Sequence, residues 1–293
     1  MNLNTSIEDS ELIINPDGSI YHLHLLPDDI ANTILLVGDP GRVENISHYF
    51  SSIEVKKMNR EFCTHTGYFN GKRITALSTG IGTDNIDIVL NELDALANID
   101  FKTRLPKKQH TSLTLIRLGT SGGLQKEVAI DSFLVSEKAI GFDGLLNFYA
   151  QRNEISDLKF EAAFKEFVQW NALLPSPYVV SASDKLFKLL KGNHLSGVTI
   201  SAPGFFGPQG RVLRLPIVDP HINDKIEQFR YQNYKITNYE MESSALYGLS
   251  NLLGHQALTI CVIIANRVDK TFTEDYKPRI EALIQYTLEK LTK

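Results

Sequence analysis

Thr33-Ile-Leu-Leu-Val-Gly-Asp-Pro-Gly-Arg42 is a short apolar run that breaks at a Gly-Asp-Pro-Gly turn and is followed at once by an arginine. It reads as a strand ending in a tight turn, whose backbone amides and arginine are placed to meet an anion. Comparable runs recur at 73–79, 113–119, 132–137, 178–182, 197–201 and 258–265. Between them lie helical patterns at about 84–98, 160–171, 222–233, 240–253 and 278–291. Strands alternating with helices predict an α/β fold. The last helix is the clearest, with Ile280, Leu283, Ile284, Thr287, Leu288 and Leu291 on one face. Residues 1–20 hold no sustained period and read as a loose extension, leaving 21–293 as one domain. The basic, proline-containing segment Lys102 to His110 reads as a solvated loop.

The bulk numbers exclude several classes. With 293 residues, 43% hydrophobic and 22% charged, the chain has the composition of a globular domain with one large core. Net charge is -4 and the 30 basic residues are scattered, so no basic stripe points to a nucleic-acid polymer. Only Cys63 and Cys261 are present, which suits packing in a reducing compartment rather than a disulfide framework. No N-terminal signal pattern is seen, and the longest apolar runs, such as Leu258 to Ala265, are too short to span a bilayer; a cytoplasmic protein is expected.

Ligands of open α/β sheets gather at the carboxyl ends of strands, so the strand-to-loop junctions carry the functional information. Besides the 33–42 junction, Arg117 ends an apolar strand that opens into Gly119-Thr-Ser-Gly-Gly123, where small residues let backbone approach a ligand. Ser78-Thr-Gly-Ile-Gly-Thr83 places a Gly-x-Gly turn ahead of the helix near Asp84. Phe205-Phe-Gly-Pro-Gln209-Gly-Arg211 combines a stacking face, a carboxamide and a guanidinium, a set suited to a flat heterocycle with carbonyls and an N–H. In Asn238-Tyr-Glu-Met-Glu-Ser243, Asn238 reads as a helix cap, with Met241, Ala245, Leu249 and Leu252 at helical spacing until Gly254. That placement puts Glu240 and Glu242 in the first turn, roughly 200° apart, so only one of them faces a ligand.

Two other chemistries are weaker. Gly119 to Gly123 fits G-x-S-x-G with Ser121 as nucleophile, yet an elbow needs a helix straight after the serine, and Leu124 to Asp131 leads into another strand. The eight histidines, including His22 and His24, show no metal-ligand spacing, so no metal is indicated.

Taken in order, the turn at 38–42, Arg60-Glu-Phe62, Arg117-Leu-Gly-Thr120, Pro208-Gln-Gly-Arg211, Asn238-Tyr-Glu-Met-Glu242 and Ile264-Ala-Asn-Arg267 resemble the blocks of the nucleoside phosphorylase family, which includes uridine phosphorylases and hexameric purine nucleoside phosphorylases. The resemblance runs over nearly the whole chain. It implies a single-domain, three-layer α/β/α fold with a central mixed, partly barrel-like sheet. It implies phosphorolysis of a pyrimidine nucleoside, uridine and phosphate giving uracil and ribose 1-phosphate, in nucleoside salvage or catabolism. No cofactor is implied, since inorganic phosphate is a co-substrate.

Carried over by position, the resemblance implies that Gly38, Arg42, Arg117 and Thr120 bind phosphate, with Arg60 arriving from a neighbouring subunit. Met241 and Glu242 would hold the ribose, His22 of the neighbour would approach the 5′-hydroxyl, and Glu240 would keep a structural role. Phe205, Gln209 and Arg211 would read the base, and Arg211, Gln209 and Glu242 would carry catalysis. The partners are then a nucleoside, phosphate and further copies of the chain, with a dimer as the minimum unit and a hexamer implied. Purine enzymes of the family carry a Ser-Asp pair where this chain has Ala265-Asn266-Arg267, and Asp269 lies too far along to replace it. A purine phosphorylase, a nucleosidase of the same fold and a non-catalytic nucleoside-binding protein are the alternatives. The extension before His22 and the 102–110 loop are longer than the family pattern, and His24 has no assigned role.

Overall fold

Alternation along the first strand organises the layers. In the computed structural model, which describes residues 5–293, β1 (Thr33–Val37) is buried at every position. Ile34 and Leu36 point into one apolar cluster, while Leu35 and Val37 point into another on the opposite face. The chain continues through α1 (Pro40–Ser47), β2 (Ser52–Asn59), β3 (Phe62–Phe69), β4 (Lys72–Ser78), α2 (Thr83–Asn98), β5 (Thr114–Gly123) and β6 (Phe133–Gly141). It then forms α3 (Leu158–Val168), β7 (Tyr178–Ser181), α4 (Asp184–Leu190), β8 (Leu195–Ser201) and α5 (Ile222–Gln228). The last elements are β9 (Tyr234–Glu240), α6 (Ser243–Leu253), β10 (Gln256–Asn266) and α7 (Lys277–Leu291).

The main sheet runs β9-β8-β6-β10-β5-β1-β4-β3-β2, and a further pairing of β9 with β5 closes part of it. Gly122 and Gly123 of β5 lie antiparallel to Tyr239 and Asn238 of β9, so β5, β10, β6, β8 and β9 form a closed barrel. Glycine is needed at this closure: a Cβ on Gly123 would lie 3.0 Å from the Val128 carbonyl oxygen. Parallel β1 and β4, then antiparallel β3 and β2, extend from β5 as an open wing. α2 and α6 cover one face through Ile86, Val89, Leu93, Leu246 and Leu249. α1, α4 and α7 cover the other through Val43, Leu186, Ile280 and Leu283. Burying each such side chain is worth about 1.5–3 kcal/mol. The expected mixed sheet, partly closed into a barrel and flanked by helices, is what the chain adopts.

Several elements differ from the sequence reading. The Gly-Asp-Pro-Gly turn is the start of α1: Asp39 accepts the Gly41 N–H at 2.9 Å and Pro40 opens the first turn. The β2–β3 hairpin carried no readable signal because β2 is exposed or half-buried along its length and is not apolar on one face. Asn238 is a buried strand residue rather than a helix cap, and α6 begins only at Ser243. Residues 1–4 of the expected loose extension lie outside the described residues, but the rest of that segment is docked. Leu12 and Ile20 are buried, and Arg104 donates Nε to the Ile7 carbonyl at 2.6 Å and Nη2 to the Glu8 carbonyl at 2.9 Å. The 102–110 loop also makes specific bonds, with Lys107 Nζ reaching the Ala97 carbonyl at 2.8 Å at the end of α2. No helix among the described residues is long and apolar enough to cross a membrane.

Candidate active site

Four of the anion-binding candidates, Gly38, Arg42, Arg117 and Thr120, lie around the carboxyl end of β1 and the adjoining part of β5. Register sets Leu36 of β1 beside Arg117 of β5, so Gly38 follows the carboxyl end of β1, whereas Arg117 does not end its strand as expected: β5 continues in the sheet to Gly123, with Arg117 and Thr120 inside it. Arg42 is delivered by the first turn of α1 and donates weakly to the Leu118 carbonyl at 3.4 Å. Burial, and then the nearby Arg117, lower the Arg42 pKa. The mutual repulsion of the two guanidinium groups is relieved by an anion between them. Arg117 is 5% exposed and folds back over its own strand, where a Cβ on Gly119 would sit 2.2 Å from its Nη1. Among the described residues its Nε and Nη1 have no hydrogen-bond partner, an expensive arrangement for buried charge-bearing donors and one that fits an oxyanion ligand.

Glu242 faces the same place. Its carboxylate pairs with Arg117 Nη2 and accepts the Gly82 N–H at 2.9 Å and the Met241 N–H at 3.2 Å. Burial pushes the Glu242 carboxyl up to about 7; Arg117 pulls it down and Glu240 pushes it up further. Burial alone would lower the Arg117 pKa, but Glu242 and Glu240 outweigh it and the net shift is upward. The Gly-x-Gly turn thus has a function that spacing alone did not reveal. Gly80 has φ +69° and Gly82 φ +99°, and a Cβ on Gly80 would lie 2.4 Å from Asn85 Nδ2. Gly38 is 3.3 Å, measured from an ideal Cβ, from the Gly80 carbonyl, so the β1 and β4 loops touch beneath Glu242.

Glu240 departs from the expectation that only one of the two glutamates faces the site. It ends β9 instead of entering a helix, and its carboxylate lies 3.5 Å from Arg117 Nη1. Both glutamates therefore converge on one guanidinium, because the strand-to-helix bend replaces the helical rotation assumed from spacing.

The base-reading candidates form a compact group on the loop after β8. Arg211 lies with Cζ 3.7 Å from the centroid of the Phe205 ring, and its Nη1 donates to Gln209 Oε1 and to the Phe205 carbonyl. Burial, then repulsion from Arg267, lowers the Arg211 pKa to about 10. Gln209 is buried, and its backbone carbonyl accepts Asn223 Nδ2 at 3.2 Å and Arg267 Nη2 at 3.1 Å. Arg267, which the sequence reading did not assign, also packs 3.9 Å from an ideal Cβ on Gly122. It links the end of β5 to the loop that carries Gln209. Asn266 is fully engaged: Nδ2 donates to the Gln125 and Val128 carbonyls, and Oδ1 accepts the Val268 and Asp269 amides.

His22 and Arg60 stand together elsewhere. His22 Nδ1 meets Glu92 Oε1 at 2.6 Å, Asn59 at the hairpin tip donates to the His22 carbonyl at 2.8 Å, and Arg60 covers the Tyr21 ring at 5.6 Å. Among the described residues neither bonds to Arg42, Arg117 or Glu242. His24 pairs at the surface with Asp17 at 3.2 Å. Ser121, the candidate elbow nucleophile, is buried inside β5, where its hydroxyl donates to the Tyr239 carbonyl at 3.0 Å and accepts from Asn238. Asp94, His110 and His255 form the one three-donor group among the described residues. His255 Nδ1 accepts the Leu113 N–H, which puts the neutral ring's proton on Nε2 and turns that nitrogen into a donor rather than a metal ligand.

Comparison with known proteins agrees with this geometry. Residues 32–289 match the model of the phosphorylase superfamily. The chain is 28% identical to a uridine phosphorylase of Thermococcus kodakarensis over 87% of this chain and 80% of the other. It is also 28% identical to a DeoD-type purine nucleoside phosphorylase of Listeria welshimeri, over 83% of this chain and 85% of the other. Among solved structures, a Trypanosoma brucei nucleoside phosphorylase described as showing uridine phosphorylase activity superposes with a TM-score of 0.87 at 30% identity, covering 96% of this chain and 99% of that one. A match over almost the full length, on a fold whose strand ends converge on a buried arginine and two glutamates, places this chain in the phosphorylase superfamily.

Proposed function

We propose that the protein catalyses phosphorolysis of a pyrimidine nucleoside, uridine with phosphate giving uracil and ribose 1-phosphate. The observation that carries the reading is the buried Arg117, which holds Glu242 with one nitrogen and leaves two others without a hydrogen-bond partner among the described residues. In this reading phosphate lies against Gly38, Arg42, Arg117 and Thr120, and Glu242 and Met241 hold the ribose above it. A phosphate oxygen attacks C1′ as the bond to the base nitrogen breaks, and the bonding electron pair leaves with uracil. Gln209 and Arg211 hydrogen-bond the charge that grows on the uracil oxygens while Phe205 stacks on the ring. Phosphate is already an anion, so placement in line with C1′ supplies much of the rate without a strong general base. One guanidinium at 4 Å attracts a unit charge by about 4 kcal/mol at an effective dielectric of 20, before desolvation.

Arg60 and His22 lie close together and, among the described residues, form no hydrogen bond or ion pair with Arg42, Arg117 or Glu242 of their own chain, which supports their donation to a neighbour's site. A dimer is then the minimum active unit, and the family resemblance suggests a hexamer. The relatives include a DeoD-type purine enzyme, so purine cleavage is the rival reading. Against it stands Asn266, whose side chain is spent on backbone groups where an acid would have to protonate a purine. The test is release of free base from uridine and from inosine, each with and without inorganic phosphate. Phosphate-dependent uracil release is expected; release without phosphate means a nucleosidase, and cleavage of inosine alone overturns the pyrimidine assignment.

A further inference from the structure

Glu240 is bonded more heavily than a strand's last residue requires. Its Oε1 accepts the Ser201 hydroxyl at 2.5 Å and the Ser243 N–H at 3.1 Å; its Oε2 accepts the Glu242 N–H at 2.9 Å and the Ser243 N–H at 3.0 Å. Ser201 Oγ in turn accepts the Ser244 N–H at 2.9 Å. The opening amides of α6, which have no partners within the helix, are satisfied by these two side chains. A neutral cap would serve that purpose equally well. A second carboxylate buried beside Glu242 costs desolvation and like-charge repulsion, and it is opposed by one guanidinium. Glu240 bridges the two groups, touching the backbone of Glu242 and the guanidinium of Arg117.

We propose that Glu240 is a positioning residue, which locks Glu242 and Arg117 into the one arrangement where the first meets the sugar hydroxyls and the second meets the phosphate. This rests on the phosphorolysis reading and extends it. Glu240 also contributes, after burial, to the raised pKa of Glu242, so its charge raises the pH at which Glu242 becomes a charged acceptor for hydroxyls. The other groups facing the pair are few. Arg117 comes from β5 and is itself felt by Arg42 of α1. Burial pushes the Cys261 thiol of β10 up to about 12. The Tyr247 and Tyr178 phenols, from α6 and β7, are raised and stay neutral, and Asp143 behind Tyr178 and Ser244 is raised by burial.

The experiment compares wild type with Glu240→Gln in phosphorolysis of uridine and 2′-deoxyuridine from pH 5.5 to 8.5, with thermal unfolding in parallel. Gln keeps the shape and loses the charge. The ratio of kcat/KM for uridine over 2′-deoxyuridine is expected to fall about tenfold, the scale of a charge-assisted hydrogen bond to the 2′-hydroxyl. The acid limb of the uridine profile is expected to move down by about one pH unit as the like charge is removed. A lower unfolding temperature with both the ratio and the limb unchanged would make Glu240 a helix cap only and overturn the proposal. Should Glu240→Gln not fold, Ser201→Ala releases Glu240 on one side and is read in the same way. A smaller fall in the ratio supports the proposal, and an unchanged ratio sinks it. Wild-type chain that frees no uracil from either nucleoside refutes the phosphorolysis reading itself, a result distinct from an active enzyme indifferent to Glu240.

Discussion

The two ends of the candidate site are built from different materials. At the proposed phosphate and ribose end, Arg117, Glu240 and Glu242 are 5%, 4% and 3% exposed, held in or just after strands and bonded to one another. At the base end, Phe205 is 52% exposed and the chain beyond Arg211 runs without regular structure, leaving Leu213 76% and Leu215 81% exposed. An apolar cavity of about 1230 Å³ lies beneath that segment, lined in part by Trp170, Phe206, Arg211 and Ile217. The difference follows from what each end must do. A sugar-phosphate junction has one geometry for every nucleoside, and the strand ends hold it with little freedom. The base differs between substrates, and a loop can change length and side chains without disturbing the barrel.

Arg117→Ala should break the first end altogether. It removes the phosphate ligand and leaves two carboxylates buried without their cation, which costs about 3–5 kcal/mol. Turnover should vanish into background and the unfolding temperature should drop by several degrees; a mutant with wild-type stability would show that the glutamates are not held by Arg117. Arg211→Ala should strike activity without stability. Loss of one preorganised donor reduces kcat by about 10²–10³-fold, with little change in KM for uridine or in unfolding temperature. Unchanged turnover would remove Arg211 from the chemistry.

The pH response sharpens the contrast because it belongs to the buried end alone. Glu242 has a raised carboxyl pKa, so its protonated form is favoured by folding, and its ionised form accepts with both oxygens and makes the stronger, charge-assisted bonds to hydroxyls. The stability it contributes is present at low pH and is lost as pH rises through the folded value, whereas nucleoside affinity changes in the opposite sense. KM for uridine should therefore fall several-fold between pH 6 and pH 8 while the unfolding contribution of Glu242 weakens. A KM flat across that range would place Glu242's ionisation well below neutrality.

The buried end was also the more legible one. Arg42 and Glu242 follow the ends of β1 and β9, where an α/β sheet places its ligands, while Arg117 lies inside β5 but level with the end of β1. The layers were legible for the same reason, since the apolar run Thr33–Val37 and the helical stripe in α7 are driven by side chains alone. What escaped was set by tertiary pairing. β2 is polar along most of its length and becomes a strand only because β3 accepts it in register. Asn238 has every property of a cap, yet it lies in β9 because Thr199 and Ser121 take up its side chain inside the barrel. That single shift of the helix start hid the convergence of Glu240 and Glu242, which no spacing rule for a helix could return. Arg267 was visible as part of a motif, but its contact with Gln209 depends on the loop after β8 folding back over β5.

The smallest effects should lie furthest along the loop, and they decide whether the base end is as loosely constrained as its exposure suggests. Phe205→Ala removes a stacking face, which for a base is worth about 1–3 kcal/mol, so KM for uridine should rise about tenfold with kcat less affected. The same truncation leaves Arg211 without the ring it lies on, so a larger loss in kcat than in KM would mean that Phe205 acts by aiming Arg211. Leu215→Ser, at a residue 81% exposed, should change unfolding by no more than about 0.5 kcal/mol and leave kcat/KM for uridine within about twofold. A strong loss of activity from Leu215→Ser with stability intact would mean that the exposed segment closes over the base during turnover. The two ends would then differ only before substrate arrives, and the contrast would describe a waiting state of the site rather than its working one.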